Sequence, residues 1–180
     1  MILFNPNHET DDHPRPIFAR SGWKIPQPPP SEVREAQKDL GDVRNDTRKL
    51  KDLIRPVKLQ SLSIRSVSQH LYSCVGMIFS NRRAWIDPDS LFQILTEDGY
   101  TKLTDGDRLS IGDLALYVLR EKPVHVGVVT QVYKVNGSTI NARVLSKWGR
   151  AGEIEHSVND VPDFCGRLHS YWSERVPEDV

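Results

Sequence analysis

The chain has 180 residues, 38% of them hydrophobic, enough for one domain of ordinary size with a core and some length to spare. Lys plus Arg balance Asp plus Glu at 24 each, which removes any global electrostatic case for a nucleic-acid or membrane partner; neither is expected. The opening MILFNPNHETDD has no basic segment, long apolar run or small-residue cleavage site, so it does not read as a secretory signal. No later stretch approaches the roughly 20 apolar residues that span a bilayer, and the cytoplasm is the expected location.

Residues 1–30 hold seven of the twelve prolines, Pro26-Gln-Pro-Pro-Pro30 among them. Proline removes backbone donors and fixes φ, so this region reads as an extended arm. Ser31 then caps an amphipathic helix over residues 31–56, with Glu32 and Glu35 in its first turn and Pro56 at its end. Val33, Ala36, Leu40, Val43, Thr47, Leu50 and Ile54 fall three and four apart on one face. Two readings stand: a helix lying on its own domain, or one that gives self-association or partner binding through residues 31–55.

Residues 57–180 read as the compact domain. A helix is expected from Ser73 to Arg83, and a second after Asp87-Pro88, carrying Leu91, Ile94 and Leu95 and stopped by Gly99. Strands follow: Leu114 to Leu119, Val126 to Val132, then a turn at Asn136-Gly137 into Thr139 to Leu145, and a last one over Arg167 to Trp172. Helices first and an antiparallel sheet after them make an α+β domain.

The two cysteines, Cys74 and Cys165, are far apart in a chain large enough to fold without staples, so thiols are expected. A catalytic thiol needs a lowered pKa and a nearby base. Cys74 follows the capping Ser73, where helix N–H groups favour a negative charge. His125 stands at the mouth of the strand HVGVVTQV, a rigid setting for a base. Each residue alone reads first as core or strand-edge filler.

Taken together, Cys74-Val-Gly76, Gly112-Asp-Leu114 and His125-Val-Gly-Val128 resemble, in this order, the NlpC-type branch of papain-like cysteine peptidases. That family carries a D/N-C-x-G helix start, a GDL strand start and an HVGI strand. The likeness covers about residues 70–148. It implies an α+β, papain-like fold of NlpC type, with N-terminal helices packed on a small antiparallel sheet. It also implies a cysteine hydrolase that cleaves a peptide, isopeptide or related amide bond through an acyl-enzyme. Cys74 would be the nucleophile, its backbone N–H part of the oxyanion hole, and His125 the general base and acid.

The family's third polar residue maps to Ser146 on the following strand, with His156 in the next loop as the alternative. Lys147, one register on, would point to the other face and cannot accept from an imidazole. Trp148, beside Gly149, is the candidate cleft wall, whereas Trp85 and Cys165 read as structural. Arg82 and Arg83 read first as a solvated helix end and second as a carboxylate site. No cofactor and no metal are expected: His8 and His13 lack a second ligand pair, and His70 precedes the helix that carries Cys74. The runner-up is a catalytically inactive binding or regulatory module.

Overall fold

The computed structural model of the chain describes residues 16–29, 62–66, 72–104, 108–135, 139–149 and 152–174. The expected helix at 31–56, the turn at Asn136-Gly137, and His8, His13 and His70 lie outside them. The first described elements, β1 (Ile17–Phe18) and β2 (Lys24–Ile25), form a two-stranded antiparallel ribbon. It is not a free arm, because Ala19 and Ile25 are buried in the main core.

The remaining strands are β3 (Ser63–Ser66), β4 (Thr101–Lys102), β5 (Leu114–Leu119), β6 (Lys122–Val135), β7 (Thr139–Lys147), β8 (Glu153–Ser157) and β9 (Arg167–Ser173). They make one seven-stranded sheet in the order β3-β8-β7-β6-β5-β9-β4, and every neighbouring pair is antiparallel. β5 and β6 join through Arg120 and Glu121, whose φ values of 51° and 67° form the two-residue turn that matches strand twist.

Side chains alternate across this sheet and feed two core layers. On one face Leu114, Leu116 and Val126 pack under α1 (Cys74–Phe79) and α2 (Leu91–Glu97), with Ile86 and the β1–β2 ribbon. On the other, Ala115, Tyr117, Val129, Ala142 and Val144 pack with Leu109 and Val158. The buried Tyr117 hydroxyl donates to the Val158 carbonyl at 2.9 Å.

This architecture overturns the expected papain-like α+β fold of helices packed on a small sheet. The sheet dominates, and the two α-helices among the described residues are only six and seven residues long. The apolar run after Cys74 does not stay helical because tertiary bonds stop it. Ser80 Oγ donates to the Gly76 carbonyl at 2.7 Å and accepts from the Ala84 N–H at 3.1 Å. Asn81 and Arg82 then adopt left-handed φ values of 49° and 65°. The chain folds back over Gly76 so closely that a Cβ there would lie 1.8 Å from the Ala84 carbonyl oxygen. No helix among the described residues is long and apolar enough to cross a membrane.

Candidate functional site

Ser73 caps α1 as its sequence position predicts: its hydroxyl accepts from the Gly76 N–H at 3.1 Å and donates to the Ile86 carbonyl at 2.6 Å. That fixes Cys74 at the first helical position, buried against the sheet. Burial pushes the Cys74 thiol up to about 11, although the backbone N–H groups of Val126, Val75 and Cys74 itself pull the other way. The resting sulfur is a thiol.

His125 sits opposite Tyr117 in the β5–β6 register, their rings 5.4 Å apart. Tyr117 belongs to the core layer away from α1, so Cys74 and His125 come from opposite faces of the sheet. They nevertheless border one cavity of about 150 Å³ where β6 begins and β7 ends, with Trp85, Val124, Lys147 and Cys165. Burial takes the His125 imidazole down to about 3, with His156 adding to the effect. Its Nε2 is buried without a hydrogen-bond partner, Cys74 included.

Ser146 and His156 do come together, but with each other. The Trp148 indole N–H donates to Ser146 Oγ at 3.0 Å, and Ser146 lies 2.8 Å from His156 Nε2. His156 Nδ1 is 2.8 Å from the Ser157 carbonyl, which can only accept. Nδ1 therefore carries the proton, and Nε2 accepts from the Ser146 hydroxyl. Burial pushes His156 down to about 4 against the pull of that carbonyl. Neither residue bonds His125 Nε2. His156 lies on strand β8, not in a loop, and Trp148 is only 2% exposed, its ring tilted 50° to that of His156 with centroids 5.1 Å apart. Trp85 borders the cavity in its place. Ser146→Ala leaves two buried nitrogens unpaired and is expected to cost about 2 kcal/mol in urea unfolding, while alkylation of Cys74 in the folded protein stays unchanged.

Lys147 is the residue that the sequence placed on the other face and gave no role. It follows Ser146 on β7 and so faces the other side, the face that α1 covers. It is 1% exposed, donates from Nζ to the Gly149 carbonyl, and lies 5.1 Å above the Tyr72 ring. Burial lowers its pKa to about 8, against the opposing pull of Cys74 and Glu153. Parity in β7 announced the side chain's direction; which face carried Cys74 was the missing half.

Glu153 completes this side of the site. Its carboxylate takes two hydrogen bonds from Arg82, at 2.5 and 3.0 Å, and one from the Tyr72 hydroxyl at 2.8 Å. Burial resists the charge, yet Arg82 and Tyr72 hold Glu153 below the usual carboxylate range. Arg82 is thus paired rather than a solvated helix end. Among the described residues no group of three His, Cys, Asp or Glu gathers as metal ligands.

The three pKa values decide what the resting cavity can do. Burial raises the Cys74 thiol and lowers both His125 and Lys147, so moving the thiol proton onto either base is uphill, and more steeply onto His125. No protein-family model, curated protein or solved structure matches the chain.

Proposed function

We propose that this chain is a cysteine hydrolase of peptide, isopeptide or related amide bonds, with Cys74 as nucleophile and His125 exchanging a proton with the reacting atoms. The observation that carries the reading is the shared cavity: Cys74 and His125 border the same space, and the His125 Nε2 is buried without a partner. A buried nitrogen left unpaired costs about 1–3 kcal/mol, and a substrate amide in the cavity would supply the missing partner. The ordered likeness of the Cys74, Gly112-Asp-Leu114 and His125 segments to NlpC-type peptidases supports the same chemistry.

Cys74 Sγ attacks the carbonyl carbon, the C–N bond breaks, and the leaving nitrogen takes up a proton. Water then hydrolyses the thioester and returns the thiol. At about 150 Å³ the cavity fits a small acyl group, not several residues of an extended peptide.

The test uses p-nitrophenyl acetate as an activated acyl donor and intact mass spectrometry as readout. Wild type is expected to carry an acetyl thioester at Cys74, Cys74→Ala to carry none, and His125→Ala to turn over far more slowly. A second reading, a non-catalytic binding module, is favoured by the neutral, desolvated thiol. It wins if wild type forms no thioester and Cys74 reacts with iodoacetamide only after unfolding.

A further inference from the structure

Lys147 raises a question that packing does not answer. A lysine this deeply buried is costly unless an anion lies beside its ammonium. Nζ makes one hydrogen bond, to the Gly149 carbonyl, and faces the Tyr72 ring. No carboxylate pairs with it among the described residues, because Glu153 is engaged by Arg82 and Tyr72. Nζ has hydrogen-bonding capacity beyond that one bond, and Lys147 borders the same cavity as Cys74.

Resting on Cys74 as the nucleophile, we propose that Lys147 is the charge partner of that thiol: its neutral amine takes the Cys74 proton, and the resulting ammonium stays beside the thiolate. The balance is simple. The S–H bond breaks, an N–H bond forms on Nζ, and the sulfur keeps the electron pair with which it attacks the carbonyl. His125, on the other wall, is left to serve the departing nitrogen and the incoming water.

The surroundings fit this assignment. Of the titratable groups facing Lys147 or its cavity, Arg82 and Glu153 neutralise each other, Tyr72 donates to Glu153, and His125 stays neutral. Cys165 is also a buried thiol with its pKa raised by burial. Cys74 remains as the group whose charge moves toward that of Lys147: burial raises the thiol while Lys147 pulls it down, and burial lowers the amine while Cys74 pulls it up.

The decisive experiment is iodoacetamide alkylation of folded protein across pH, read separately at Cys74 and Cys165 by peptide mass spectrometry. Wild type, Lys147→Met and Lys147→Arg are compared. Loss of the cation in Lys147→Met should slow Cys74 alkylation at pH 8 by roughly tenfold, the effect of a one-unit rise in thiol pKa, and leave Cys165 unchanged. Lys147→Arg keeps a permanent charge beside the sulfur, so Cys74 should stay reactive to lower pH than in wild type. Wild-type alkylation profiles in both variants overturn the proposal. If Lys147→Met does not fold, the arginine variant decides alone by the same criterion. Thioester formation in wild type tests the hydrolase reading separately, so a protein that acylates Cys74 with its profile indifferent to Lys147 refutes only the charge pairing.

Discussion

Acidifying the protein from pH 7 to pH 4 is expected to remove about 6 kcal/mol of its stability, a large share of the 5–15 kcal/mol typical of a folded domain. Two buried histidines are responsible. His125 and His156 are held neutral, at about 3 and about 4, against an ordinary value of 6.5. Below pH 6.5 the unfolded chain binds protons that the folded rings refuse. Stability is therefore full above 6.5 and falls as pH drops toward the folded values, by roughly 3 kcal/mol per ring at pH 4. Urea unfolding at pH 7, 6, 5 and 4 should show this decline, and His125→Asn should remove about half of it. A stability that stays flat from pH 6.5 to 5 would mean that the rings protonate freely in the fold, and the account would be wrong.

Gly76→Ala is expected to cost at least 3 kcal/mol, at the severe end for a single methyl. The added Cβ would lie 1.8 Å from the Ala84 carbonyl oxygen and 3.2 Å from the Tyr72 Cβ. Ala84 cannot retreat without breaking its bond to Ser80, which is what ends α1. Gly99→Ala is the contrast: open space surrounds that position, and only its left-handed φ of 76° is strained, worth about 1 kcal/mol. Thermal melts of the two variants should differ accordingly, with Gly76→Ala also exposing Cys74 to alkylation in the cold. Equal, small losses would show that the turn yields.

Much of the backbone was legible because local chemistry agreed with the fold. The Ser73 cap, the Asp87-Pro88 turn and the strands at 114–119 and 167–172 all stand where their residues put them. β8 was missed because Glu153-Ile-Glu-His156 looks polar. Its glutamates are buried only by virtue of distant partners, Arg82 for Glu153, and Arg65 with Thr130 for Glu155. The start of β6 was hidden by Pro123 and by a turn built from Arg120 and Glu121, without the usual Asn-Gly. The helical share was over-read, since nothing in the run from Met77 to Phe79 announces the Ser80 hydroxyl bonds that end α1. At the site, helix start and strand mouth pointed to Cys74 and His125. The pairing of Ser146 with His156 and the inward turn of Lys147 depend on which sheet face α1 covers, a fact no single segment encodes.

The β1–β2 ribbon constrains how the molecule can be made. Ile25 and Ala19 close the same core layer as Ile94 and Leu95, the Arg20 N–H donates to Asp98 at 2.6 Å, and the Arg20 side chain pairs with Glu174, 154 positions away. That exposed ion pair contributes little; the apolar contacts do the closing. The ribbon's contacts therefore close loops of up to 154 positions, and loop-closure entropy has to be overcome before they add stability.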